Sequence, residues 1–225
     1  MSAKFIQFFD VLPGKQGEFE NFLRKNYIPG VDETGLMKVV GSWQVATGEG
    51  PYHILESLAA SQKDIHTYIQ LDHIQKLNHL FHFLITNYKT KVMAPTGHLE
   101  ASIPAGVHYR FNHHYDMDTR RFEDYSRYMR ERHIPAMEDM GIHMIGGWHV
   151  AVGPGPNIVV EGAADSVETI LDAVGSGKYR ELMDALNTMV TKFGSKILVP
   201  TGLARRLVAS VQQRRIPPRR PRTAA

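Results

Sequence analysis

The chain spells one segment twice. Residues 41–51 read GSWQVATGEGP, and residues 146–156 read GGWHVAVGPGP, 105 positions later. At the same offset Glu56 matches Glu161, Ser61 matches Ser166, Lys91 matches Lys196, and APTG at 94–97 matches VPTG at 199–202. YIPGVDETG (27–35) aligns with HIPAMEDMG (133–141) at an offset of 106. The first helical segments align through Phe19 and Phe122 at an offset of 103, which reads as a three-residue difference in helix length. A unit of about 100 residues is far longer than a solenoid repeat, so the pattern points to a duplicated domain. The expected division is one unit over 1–104, a second over 105–210, and a tail over 211–225.

Each unit reads as β-α-β-β-α-β. FIQFFDV (5–11) and HYRFNHHY (108–115) are rich in aromatic and β-compatible residues and predict first strands. PGKQGEFENFLRKNY and TRRFEDYSRYMRERH carry apolar residues at helical spacing and run into an Ile-Pro pair, which predicts a helix stop. VVGSWQV and MIGGWHV predict second strands, each followed by Gly-Pro turn chemistry. HILESLA and IVVEGAA predict third strands. Ser61 and Ser166 fit as N-caps, with Asp64 completing a capping-box-like pattern in the first unit. Ile65, Ile69, Leu77, Leu80, Phe81, Leu84 and Tyr88 then line one face of a single long helix, while GSG at 175–177 breaks its counterpart. A fourth strand is expected after each PTG. This order is the ferredoxin-like split βαβ arrangement, with both helices on one face of an antiparallel sheet. The bare face needs cover, and a second sheet supplies it. The expected fold class is therefore α+β, two fused ferredoxin-like units forming an α+β barrel.

Composition removes several functions. The absence of cysteine excludes a disulfide framework, a zinc–thiolate site and a thiol nucleophile, and fits a cytoplasmic setting. MSAKFIQFFDV has no signal-peptide cleavage pattern, and no apolar run reaches the roughly 20 residues of a spanning helix. The formal charge of +3 is local, because Arg214, Arg215, Arg219, Arg220 and Arg222 sit in the last twelve residues and leave −2 for the rest. A nucleic-acid partner is not expected for the body. The proline-broken tail reads as a disordered solubilising end, with contact to an anionic partner as the alternative.

The β-α-β-β-α-β order, the Ile-Pro after the first helix and the PTG before the last strand resemble the dimeric α+β barrel superfamily over roughly residues 3–208. That group includes stress-responsive barrel proteins, NIPSNAP-type proteins, cofactor-independent monooxygenases, polyketide cyclases and haem-binding branches. The resemblance implies a barrel closed within one chain, a ligand space between the facing sheets, and a histidine near the place of His133.

Strand alternation nominates the wall of that space. Taking Ile6 and Phe8 with Tyr109 and Phe111 as the helix-facing pairs leaves Gln7, Phe9 and Val11 opposite Arg110, Asn112 and His114, an apolar wall facing a polar one. His133, whose counterpart is Tyr27, stands at a helix end where the dipole favours its cation, and it can move protons near neutral pH. Glu56 and Glu161 lie among aliphatic neighbours and need a cationic partner, Arg110 or a ligand. Trp43 and Trp148, kept by both halves, read as packing, and His149 beside Trp148 can join the polar wall. The histidines at 66, 73, 79, 82 and 113–114 show no metal-ligand spacing, so no metal is expected.

The leading expectation is a small-molecule-binding barrel acting as a cofactor-independent enzyme of monooxygenase, cyclase or isomerase type on a hydrophobic substrate. His133 or His114 would move a proton, and Arg110 and Asn112 would steady an oxyanion. Two other readings stay open. One is a non-catalytic NIPSNAP-like binding or scaffold protein. The other is a haem-binding barrel with His114 or His133 as axial ligand. Association into a homodimer is likewise open.

Overall fold

The computed structural model describes residues 3–97, 99 and 109–204. The expected boundary at 104/105 and the tail at 211–225 lie outside them. The first half contains β1 (Ala3–Val11), α1 (Gln16–Phe22), a π-helical turn (Leu23–Tyr27), α2 (Ile28–Asp32), β2 (Met37–Thr47), β3 (His53–Ala59), α3 (Gln62–Ile69), α4 (Asp72–His82) and β4 (Ile85–Pro95). The second half contains β5 (Tyr109–Met117), a short 3₁₀ turn, α5 (Phe122–Tyr128), a second π turn (Met129–His133), α6 (Ile134–Asp139), β6 (His143–Val152), β7 (Ile158–Ala164), α7 (Val167–Gly175), α8 (Gly177–Asn187) and β8 (Val190–Pro200).

All eight strands close one antiparallel barrel in the order β1-β3-β2-β8-β5-β7-β6-β4. Two seams join the halves: β2 pairs with β8 through Trp43↔Pro200, and β4 pairs with β6 through Pro95↔Trp148. Closure removes sheet edges that would otherwise be exposed, and one chain completes it. The helices lie outside. Two apolar clusters fill the helix–sheet layers, around Phe9, Phe19, Tyr27 and Phe81 in one half and Phe111, Tyr115, Tyr128 and Leu186 in the other. A third cluster, with Ile6, Trp43, Ile54, Met93, Trp148, Val159 and Leu198, fills part of the lumen.

Three local expectations are corrected. The chain does not stop at Ile-Pro: Pro29 and the proline after Ile134 occupy the first turn of α2 and α6, directly behind a π turn. A first-turn position needs no proline N–H, so the residue is tolerated there. The single long helix is two, parted at Gln70-Leu71. The fourth strand precedes PTG instead of following it. Ile85–Pro95 carries lysines and threonines on alternate positions, and read with Leu84 and Tyr88 it mimics a helix end. Ser61 and Ser166 do cap, accepting from the backbone N–H of Asp64 at 3.2 Å and of Thr169 at 3.1 Å.

Candidate functional site

The repeated tryptophan segments build the floor of the lumen. Trp43 Nε1 donates to Glu56 at 3.1 Å, and Trp148 Nε1 donates to Glu161 at 2.8 Å. Each indole lies across the glycine two residues before it, Gly41 or Gly146, where a Cβ would collide with the ring nitrogen. That explains why both halves read Gly-x-Trp. Lys4 reaches between the carboxylates, pairing with Glu56 and lying 2.6 Å from Glu161. Burial pushes the Glu56 carboxyl up, but Lys4 and Arg110 outweigh it and hold the group below its usual range.

Above this floor is a cavity of about 210 Å³. Arg110, Asn112 and His114, alternate residues of β5, all line it, as Ile6 and Phe8 of β1 do. Lys91 and Lys196 flank Phe8, their ammonium groups 5.8 and 5.9 Å from its ring centroid. Lys91 reaches the Gly155 carbonyl on one rim loop, and Lys196 reaches the Glu49 carbonyl on the other. Burial lowers the pKa of each lysine, and the neighbouring ammonium of Lys196 lowers Lys91 further. His114 lies across Gly194, its register partner on β8, in space that only a glycine leaves open. Burial first, then Lys196 and Lys91, bring its pKa down to about 4. The imidazole is therefore neutral near pH 7, with the basicity of a weak base.

The remaining nominated residues fall elsewhere. Gln7 and Phe9 do not face the lumen: Gln7 donates to the hydroxyls of Tyr27 at 2.8 Å and Tyr88 at 2.9 Å, and Phe9 packs on Phe19 and Phe81. The difference from the expected faces is one of register. Ile6 pairs with Glu56 as Asn112 pairs with Glu161, so β1 matches β5 at an offset of 106, whereas an odd offset of 103 turns every side chain to the other face. Tyr27 sits in the helix layer and donates to Asn78 at 3.0 Å. His149 is exposed on β6 and does not line the cavity.

His133 is wholly buried in the helix layer of the second half, between His113 and Tyr128. The helical path continues through it into α6, so no free helix end favours its cation. Burial instead lowers its pKa to about 4. Its Nε2 has no hydrogen-bond partner among the described residues, and His113 meets Tyr179 at 3.0 Å.

Lys4, Lys89, Lys91 and Lys196 were not nominated from the sequence. Lys91 and Lys196 carried a signal, as a matched pair in the repeat, but a lysine suggests solvent until closure of the barrel turns it inward. Among the described residues no cluster of three or more His, Cys, Asp or Glu is placed to hold a metal ion, and no helix is long and apolar enough to cross a membrane.

No protein-family model and no curated protein matches this sequence. Solved structures share the fold. A putative monooxygenase from Lactobacillus acidophilus is 14% identical and superposes with a TM-score of 0.60, covering 88% of this chain and 93% of its own. An anthrone oxidase-like protein is 12% identical, with a TM-score of 0.59 and coverage of 93% and 96%. A mutant chlorite dismutase from Candidatus Nitrospira defluvii is 12% identical, with a TM-score of 0.60 and coverage of 90% and 92%.

Proposed function

We propose that this protein is a small-molecule-binding barrel that works without a cofactor, by removing a proton from an acidic C–H or O–H of a mainly apolar substrate. The observation that carries this reading is that Arg110, Asn112 and His114 face one cavity from one strand, while much of the opposing wall is apolar. In the proposed step His114 accepts the proton, and the electrons of the broken C–H bond stay on the substrate as an enolate. Lys91 and Lys196, already desolvated, stabilise that charge better than water-exposed lysines would. The enolate is then reprotonated elsewhere, attacks an internal carbonyl, or reacts with dioxygen, according to the substrate. The monooxygenase-like and anthrone oxidase-like neighbours agree with this chemistry, since the carbonyl of an anthrone acidifies its methylene group. His133 is assigned no role in the lumen. The repeated tryptophan segments support reading the chain as a tandem duplication, with units at 1–104 and 105–210 and a separate basic tail.

Of the two histidines named as axial ligands for haem, His114 lines the cavity and His133 does not, so the space around His114 decides the fit. The cavity is smaller than the roughly 300 Å³ at which drug-sized pockets begin, and a porphyrin is larger than such ligands. His133 is enclosed by aromatic rings that would have to leave.

The test uses benzoylacetone, a one-ring diketone, under nitrogen in deuterium oxide. The protein is expected to accelerate exchange of the proton between its carbonyls, and His114→Gln is expected to return the rate to that of buffer. Equal exchange by wild type and His114→Gln would overturn the reading.

A further inference from the structure

The cavity floor is asymmetric in a way that concerns the ligand. Lys4 and Arg110 hold the same register, pairing with Leu58 and Ala163 respectively. Each lies over a tryptophan of the other half, Lys4 at 4.3 Å from the Trp148 centroid and Arg110 at 5.0 Å from the Trp43 centroid. Yet Lys4 takes both glutamates. Arg110 is only 7% exposed, and its Nη1 has no hydrogen-bond partner among the described residues. The Arg110 charge acts on Glu56, but a buried donor without a hydrogen-bond acceptor is costly, and this Nη1 is in the wall of a cavity.

Charge and shape indicate what completes it. Counting Lys4 with the charged lining residues, five cations (Lys4, Lys89, Lys91, Arg110 and Lys196) stand against three carboxylates (Glu49, Glu56 and Glu161), an excess of two positive charges. That balance favours an anion. A planar guanidinium fork matches a carboxylate better than a point charge does. Asn112 Oδ1, between Arg110 and His114, is also buried without a hydrogen-bond partner among the described residues and can accept from an O–H or N–H on the ligand body. Arg110 and His114 stand four positions apart on the strand, about 13 Å between Cα atoms. Once both side chains reach inward, roughly one aromatic ring fits between them.

We infer that the cavity selects a monocarboxylate, whose carboxylate is received by Arg110 at the floor and whose apolar body runs along β5 to present its acidic proton to His114. The inference rests on the proposed role of His114 for its second half. Carboxylate selection by Arg110 is a binding property that stands or falls separately.

The probes are 4-acetoacetylbenzoate and 4-acetoacetylbenzamide, which differ only in the terminal group, and the readout is calorimetric affinity at fixed ionic strength. Wild type is expected to bind the acid at least about tenfold more tightly than the amide, as suits a charge-assisted pair. In Arg110→Gln the ratio is expected to fall to near unity, mainly through weaker binding of the acid. Equal affinities in wild type, or a preference that survives in folded Arg110→Gln, overturns the inference. If Arg110→Gln does not fold, the triple variant Lys89→Gln/Lys91→Gln/Lys196→Gln decides. Preference retained there supports Arg110, and preference lost there assigns it to the mouth lysines and overturns the inference. His114→Gln separates the two ideas. Intact acid preference with unchanged exchange removes only the proton-transfer reading, and exchange lost while acid and amide bind alike removes only carboxylate selection.

Discussion

Lys4 Nζ lies 2.6 Å from Glu161 Oε2, joining residues 157 positions apart inside the barrel. The same ammonium pairs with Glu56. One buried lysine therefore satisfies the carboxylates of both halves. Removing it leaves two buried charges with Arg110 as the nearest remaining cation. Lys4→Met is expected to cost about 3–5 kcal/mol in urea unfolding. Adding Glu56→Gln and Glu161→Gln should recover most of the loss. A loss below about 1 kcal/mol in Lys4→Met would show that the cluster is not what holds the floor together.

His133 contributes to acid stability, together with His113 and His114, whose pKa values burial also lowers. The folded pKa of His133, about 4, lies below the unfolded value of about 6.5, so the unfolded chain binds the extra proton between those values. Stability therefore rises with pH through that window, is complete above about pH 6.5, and is lost toward pH 4, by about 3 kcal/mol for this group. His133→Gln should remove its share of that limb of the urea-midpoint profile and leave the shares of His113 and His114, whose pKa values burial also lowers. The Glu56 carboxyl, held below its usual range chiefly by Lys4 and Arg110 against burial, adds a second limb. Its contribution is present above about pH 4.3 and falls away as pH drops through the lower folded value.

Burial first, and then the lysines at the rim, lower the basicity of His114. Lys196 and Lys91 both depress it, with Lys196 the larger of the two after burial. In an NMR titration His114 is expected near pH 4 in wild type, higher in Lys196→Gln, and higher again in wild type saturated with 4-acetoacetylbenzoate. An unmoved titration in both cases would mean that the imidazole does not feel the mouth charges.

Gly194 gives His114 its place. A methyl group there meets the imidazole, so Gly194→Ala is expected to rotate the ring and reduce exchange of benzoylacetone by about tenfold or more, while the amide probe still binds. The unfolding midpoint should change little. Undiminished exchange would show that ring placement at this register position is not needed.

Much of this arrangement was written locally, and some of it was not. Ser61 and Ser166 were legible because a cap is a contact between near neighbours. Arg110, Asn112 and His114 were legible as one polar face because strand alternation has a period of two. Gln7 and Phe9 were misplaced because matching β1 to β5 across more than a hundred residues demands the right parity, and aromatic residues occupy both faces of β1. Lys4 was illegible because nothing near it in sequence needs a cation. Its partners arrive from β3 and, across the lumen, from β7. His133 read as a helix terminus because Ile-Pro usually ends a helix, whereas a π turn here carries the helical path past the proline.

The most direct measurement sets His114→Gln beside His133→Gln in the benzoylacetone exchange assay, with both variants shown folded by circular dichroism. A site inside the barrel requires His114→Gln to lose exchange by about a hundredfold or more and His133→Gln to keep it. The opposite pattern, with His133→Gln inactive and His114→Gln active, would place the chemistry in the helix–sheet layer and contradict a site in the lumen.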